Sequence, residues 1–451
     1  MNLQRISEFQ HSFSFLSATE NLDAFYTRFL ESDLGKIHLA IPWESLVENI
    51  NVSEKAMGSK MLFSPKGRIA LMFLKHYACC SDKKLIEQLN SNIDYQFFCD
   101  IHLGLHRLTN YKIVSQIRCE LADKLRIDAL EKVLYNHWSP HIDSKGQITV
   151  DATCYESELR YPTPQKLLWE AVDWLYGQLK KTCKLVGVKM MRTKFLKWKK
   201  RYLGFSKMRR KTNKKRKPLT RSLLHLLGKL ITFEKELCAT HNLKFRATYY
   251  RRVATIKKVH TQQQEYFDTG VSPKNRIVSI QKGYLRPIVR GKEVKPVEFG
   301  AKVNKLQIDG INFIEHLSFN AFNEGTRLKS TVYKAQSLTK VKTKILGADA
   351  IYATNKNRNF VTKNNIKTDF KRKGKLPKDY KEEKKLKALI TKERATRLEG
   401  SFGKEKEHYH LKKIKAKTKL TEKLWIFFGI HTANALAIGR RIQDIKSQIA
   451  A

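Results

Sequence analysis

The spacing of apolar positions changes several times along this chain, and the changes divide it into segments. Arg68–Asn90 (RIALMFLKHYACCSDKKLIEQLN) repeats its apolar residues at helical spacing, breaks at Ser81 and resumes. That pattern predicts two helices, with Ser81 capping the second. Helical spacing continues through Asp94–Ile101 and Leu108–Leu125, and an aromatic helical stretch is expected over Phe13–Phe29. The first β-branched run is Gln147–Thr153, which reads as a strand. Lys166–Leu179 turns helical again, and helices are expected to about Tyr266. Five short strand-like runs follow: Arg276–Ile280, Tyr284–Arg290, Pro296–Val303, Lys305–Asp309 and Ile311–Phe319. Asp309-Gly310 lies between two of them and signals a hairpin. A helix over Asn323–Ser337 then leads to a strand at Lys344–Asp349, and Leu424–Gly439 reads as a buried helix.

This order predicts an α/β protein. A mixed sheet is interrupted by a helical insertion and preceded by an all-helical region. The expected divisions are 1–140 as a helical DNA-binding or dimerisation domain, 141–165 as the first part of the core, 166–270 as a basic helical insertion, and 271–451 as the rest of the core.

Charge narrows the class of partner. The chain has 451 residues with 88 Lys+Arg against 42 Asp+Glu, a net charge of +46. Such an excess costs self-repulsion in the folded state and attracts polyanions by counterion release, so nucleic acid is the leading partner class. A membrane is not expected. The longest apolar run is broken by His431, Thr432 and Asn434 and falls short of the roughly 20 residues a span needs. Seven cysteines without a CxxC pair read as reduced core thiols. The location those thiols lead one to expect is the cytoplasm.

The positive charge peaks between Trp174 and Phe233, where no acidic residue occurs. Within that block Lys189–Lys217 interleaves its cations with Phe195, Trp198, Tyr202 and Phe205. A like-charge run is often only a solvated arm. Aromatic residues between the cations favour an ordered helical surface against phosphates, with Lys199, Lys200, Arg201, Arg209 and Arg210 as candidate contacts.

Three carboxylates stand out in this cationic setting. Asp151 and Asp349 end short apolar runs, and Glu399 falls in a helix-like stretch. An acidic side chain is ordinarily a solvated one, so each is weak evidence alone. Together, two strand-end aspartates and a helical glutamate suit hard divalent cations. Mg²⁺ needs only one or two carboxylates plus water and substrate phosphate, and a pair of such ions activates the attacking oxygen and stabilises the leaving one. No P-loop or dinucleotide motif occurs, and no small-molecule substrate is expected.

All three segments resemble those of bacterial insertion-sequence transposases with an RNase H-like DDE core and an N-terminal helical module. VDATCYESELRYPT resembles the first-aspartate segment of that family, GADAIYATNKNR its D-x-x-Y segment with Tyr352, and RLEGSFGKEKEHYHLKKIKAKT its glutamate helix. One branch of the family carries Y-x2-R-x3-E-x6-K. Lys406 fits the last place, whereas Lys392 and Ala395 stand where Tyr and Arg would be. Arg394 or Arg397 would supply the missing guanidinium to the DNA backbone, and Glu393 rivals Glu399 as third acid.

The resemblance implies two Mg²⁺ ions (with Mn²⁺ as a substitute) held by Asp151, Asp349 and Glu399. It also implies double-stranded DNA as partner, both the element's terminal repeats and the target, and a homodimer on that DNA. Lys356 and Arg358 are further candidates for phosphate contact. Two other readings stay open: a non-catalytic DNA-binding protein, and a nuclease without strand transfer.

Overall fold

The computed structural model describes residues 22–54, 61–289, 296–374 and 380–450. The aromatic residues 13–21 and Arg290 therefore lie outside the described residues. Seven strands are present among them: β1 (Gln147–Ser157), β2 (Pro287–Val289), β3 (Val297–Ile308), β4 (Ile311–Ser318), β5 (Ile345–Ala348), β6 (Lys367–Thr368) and β7 (Lys413–Ile414). The chain forms two compact units. One comprises the residues up to Ser157, Ala301–Ser318 and Phe322–Ala451; the other is Glu158–Gly300 with Phe319–Ala321.

In the first unit the strands lie side by side in the order β4-β3-β1-β5-β6. By order of appearance in this unit that is third, second, first, fourth and fifth, the arrangement of an RNase H-like core. β1 and β5 run parallel, as do β5 and β6, whereas β3 and β4 are antiparallel. β1 is central and almost continuously buried, as a strand covered on both faces must be. The Asp309-Gly310 hairpin forms as expected, with φ of 48° and 80° at its two residues, the left-handed geometry of a tight two-residue turn.

The expected helix pair around Ser81 is present as Pro65–Tyr77 and Asp82–Ser91, and the Ser81 hydroxyl accepts from the Lys84 amide at 3.1 Å. Helices Ile93–Phe98, Lys112–Lys124 and Ile127–Trp138 complete this region. Its apolar faces close on the helix Lys419–Ala450, where Phe73 meets Phe428 edge-on at 4.8 Å. That helix is largely apolar from Leu424 to Ile438 and lies buried, with His431, Thr432 and Asn434 as buried polar residues within it. Gly439 lets it approach the backbone of Lys36: a Cβ there would sit 2.3 Å from the Lys36 carbonyl oxygen.

The second unit is a helical bundle of Pro164–Val186, Phe195–Lys207, Asn213–Thr240 and Ala247–Thr269, with Leu168, Leu175, Leu223 and Leu227 fully buried. The basic block is helical, and Lys199, Lys200 and Arg201 are exposed on it. Arg209 and Arg210 are exposed in the loop that follows. Its aromatics face inward: Phe195 and Phe205 are buried in the bundle core, Trp198 and Tyr202 pack against it, and Phe195 and Tyr202 stack on Trp169 at 5.4 and 5.1 Å.

Three strand expectations need correction. Arg276–Ile280 forms no strand. Ile277 and Ile280 join the apolar core of the bundle, and the Gln262 side chain accepts from the Ile277 amide at 3.0 Å in place of a strand partner. Tyr284–Arg290 contracts to β2, which begins at Pro287, a residue that cannot donate to a ladder. Pro296–Val303 and Lys305–Asp309 are one strand, β3, with a register shift at Asn304/Lys305 where the break was expected.

Candidate carboxylate site

The register of β1 and β5 decides where the two aspartates fall. Their last pair is Val150 with Ala348, so Asp151 and Asp349 follow side by side immediately beyond it. β5 stops there because Asp349 leaves the strand, its side chain accepting from the Ala350 amide at 2.7 Å and opening a short turn. β1 does not stop. It continues to Ser157, where Glu156 and Ser157 pair with β7, so Asp151 lies inside its strand rather than at the end expected for it. The end of the partner strand, not of its own, leaves Asp151 beside Asp349.

Asp151 is largely enclosed, and its carboxylate accepts from the Ala152 amide at 2.7 Å. Burial pushes its pKa up to about 6, the negative charges of Glu324 and Asp349 push the same way, and Arg394 opposes them. Because the folded value lies above the ordinary 3.8, this group favours the fold below pH 4 and costs stability as pH rises through about 6. Asn mimics the protonated acid. Asp151→Asn is therefore expected to raise the stability of the metal-free protein at pH 8 by about 2–3 kcal/mol, with the gain gone near pH 4. Denaturant midpoints of both proteins across that range check it, and an equal difference at both pH values would contradict it.

Glu324 was not among the candidates, yet it acts on Asp151 more strongly than Asp349 does. It opens the turn Glu324–Arg327 and pairs with Lys302 at 2.7 Å. This turn is locked against the one after Asp349. A Cβ on Gly325 would lie 2.6 Å from the Ile351 carbonyl oxygen, and the Asn357 amide donates to the carbonyls of Gly325 and Tyr352, both at 2.7 Å. The signal in the sequence was an acid between Asn323 and Gly325, in a polar break between strand and helix. Tyr352 is fully buried, donates to Asn304, and has its pKa raised by burial and by Glu324.

Among the described residues Glu399 does not complete a three-carboxylate metal group with the two aspartates. It ends a π-helical turn, Arg394–Glu399, inserted between the α-helices Tyr380–Glu393 and Gly400–His408. Such insertions are rare and frequent at functional sites. Its carboxylate is half-exposed and paired with Arg394 at 2.9 Å. Arg394 also lies 3.7 Å from Asp369, whose other oxygen accepts from the Ala348 amide at 3.0 Å. Glu399 is thus joined to the end of β5 through Arg394.

The rival Glu393 pairs with Arg397 at 3.0 Å, and Arg397 pairs with Asp309 at the same distance. These residues line a different, polar cavity of about 220 Å³ with Gln147 and Thr149. Lys406 donates to Thr153, two residues beyond Asp151, at 3.0 Å. Lys356 is exposed on the helix Asn355–Lys363, and Arg358 donates to the Ala353 carbonyl at 3.1 Å while covering Phe370.

Residues 346–431 match the family model of the transposase DDE domain. The matched residues are similar to a transposase DDE domain, which supports a DDE transposase family. It contains Asp349, Glu399 and Lys406, and DNA is the substrate class the family implies. No curated protein matches the chain, and no solved structure does. Among the described residues no helix is long and apolar enough to cross a membrane.

DDE transposases generally use divalent metal. Among the described residues no three His, Cys, Asp or Glu side chains converge as a metal nest. Mg²⁺ does not require one, because it keeps several waters and takes substrate phosphate oxygens as ligands. Adjacent Asp151 and Asp349 fit that mode, and burial with the nearby acids raises the pKa of Asp151. Glu399, held by Arg394, would have to change partner to join them.

Proposed function

We propose that this protein is a DNA transposase that cuts at the ends of an insertion sequence and joins the freed 3′-hydroxyls to target DNA. The observation that carries the reading is the placement of Asp151 beside Asp349 where β5 ends, with Asp349 inside the matched transposase DDE domain. Asp151 and Asp349, joined by Glu399, would hold two Mg²⁺ ions, for which Mn²⁺ would substitute. Bound there, the metal would activate the attacking oxygen and stabilise the leaving one.

The remaining work falls to the chain's own residues. Tyr352, fully buried and donating to Asn304, lies within electrostatic reach of both aspartates. Glu324 and Lys302 hold the neighbouring turn. Lys406, which donates to Thr153, and Arg394 would meet backbone phosphate, and release of Glu399 from Arg394 would free both partners at once. Pairing two element ends calls for two such sites, hence a dimer on DNA.

The pairing of Glu399 with Arg394 also suits a second reading, a protein that binds DNA without cutting it. Incubating the purified protein with Mg²⁺ and a labelled element end separates the readings. Joined product is the expected result. Cleavage without joining would reduce the protein to a nuclease, and binding with neither would overturn the catalytic reading.

A further inference from the structure

A cleft of about 560 Å³ opens in the first unit between the start of the helix Lys112–Lys124, the start of Asp82–Ser91 and the segment 415–425. Its floor holds Lys75 and Arg118, both buried and each 2.8 Å from the one carboxylate of Asp82. Both cations also cover the Trp425 ring, at 5.6 and 4.8 Å. Two buried cations on one carboxylate leave a positive charge in the wall, an arrangement that is costly without a further anion.

The rim adds to the imbalance. Lys112, Lys415 and Lys417 are exposed there, and among the described residues none has a carboxylate within 4.0 Å. Lys83 also lines the cleft and reaches only Glu87, at 4.0 Å. Six cationic side chains thus face one acid. Burial pulls the pKa of the neighbouring His410 down to about 4, with Lys75 and Lys415 acting the same way and Asp82 opposing them. Ser81 and Thr418 place hydroxyls along the same wall, where Ser115 already donates to the Lys112 carbonyl at 2.8 Å.

We propose that this cleft binds the backbone phosphates of duplex DNA, as a second contact surface in addition to the carboxylate site. The cations favour a polyanion. Hydroxyls interleaved with lysines suit phosphate oxygens, and no side chain on the rim offers a pattern for reading bases. The inference rests on the reading that this protein acts on DNA. It assigns to the surface formed by the Ser81 helix pair and the residues preceding the last helix a part in gripping that DNA.

The test uses the full chain carrying Lys112→Ala, Lys415→Ala and Lys417→Ala together, without metal. Binding to a fluorescent duplex is followed by anisotropy from about 50 to about 200 mM salt. Affinity is expected to fall about tenfold or more at the low-salt end, and the slope of log K against log salt to shrink by about 2–3. All three lysines are exposed, so the circular dichroism and melting temperature should match the parent. A control triple of other exposed lysines, Lys132, Lys342 and Lys344 to Ala, should lose less on both measures.

Unchanged affinity and slope in the cleft triple, or an equal loss in the control, would overturn the cleft. Tighter binding of the parent to poly-glutamate than to duplex, lost in the triple, would assign the cleft to an acidic protein partner instead. Failure of the parent to bind duplex at all would overturn the DNA reading on which the inference stands.

Discussion

Asp349→Asn is expected to leave duplex binding unchanged and to lower Mg²⁺-dependent cleavage of an element end by about three orders of magnitude or more. The size follows from the several kcal/mol that a bound cation contributes to the transition state, at about 1.4 kcal/mol for each factor of ten. The fold should survive, because the side-chain oxygen of Asn can still accept from the Ala350 amide as Asp349 does at 2.7 Å. Asp151→Asn should behave alike in cleavage while gaining stability at pH 8, so that loss of activity cannot be put down to unfolding. Glu399→Gln and Glu393→Gln form the deciding pair for the third acid. Loss of cleavage only in the first supports Glu399; loss only in the second moves the role to Glu393 and the cavity it shares with Arg397. Single-turnover cleavage with matched binding curves measures all four, and full activity in Asp349→Asn would end its assignment as a metal ligand.

Much of this arrangement was legible in the sequence because local patterns carried it. The β-branched run before Asp151, the KILGAD run before Asp349 and the Asp309-Gly310 turn each announce an element by residues adjacent in sequence. Glu324 was not legible, since its closeness to Asp151 arises from the packing of Gly325 on Ile351 and from the two bonds of Asn357, none of which has a periodic signature. Apolar content alone misled at Arg276–Ile280, where burial among helices satisfies the same residues that a strand would. Arg397 looked available for DNA by its charge, yet it is taken by Asp309, 88 residues earlier in the β3–β4 turn, and by Glu393, one turn earlier along its own helix. The π-helical turn ending at Glu399 shows a related limit: residues 380–408 have helical composition, but the slip in spacing is set by what Arg394 and Leu398 meet in the fold.

The largest expected loss of stability lies at a buried pair that joins the sheet to the helix after Glu399. Lys305 on β3 and Glu405 are both inaccessible and lie 2.6 Å apart. Glu405 also accepts from Asn312 at 3.1 Å and from the Tyr155 hydroxyl, while Lys305 donates to Ser401 at 3.1 Å. Burial pulls the Lys305 pKa down and pushes that of Tyr155 well up, so the network keeps its charge only while both ions are present. Glu405→Gln leaves an ammonium without a counter-charge in the interior and is expected to cost about 3–5 kcal/mol. Replacing the pair together, Lys305→Met with Glu405→Leu, removes both desolvation costs and should recover most of that loss. Guanidinium midpoints of the single and double variants provide the comparison. A double variant as unstable as Glu405→Gln would mean that the hydrogen bonds of Tyr155 and Asn312, rather than the ion pair, hold this helix against the strand that carries Asp151.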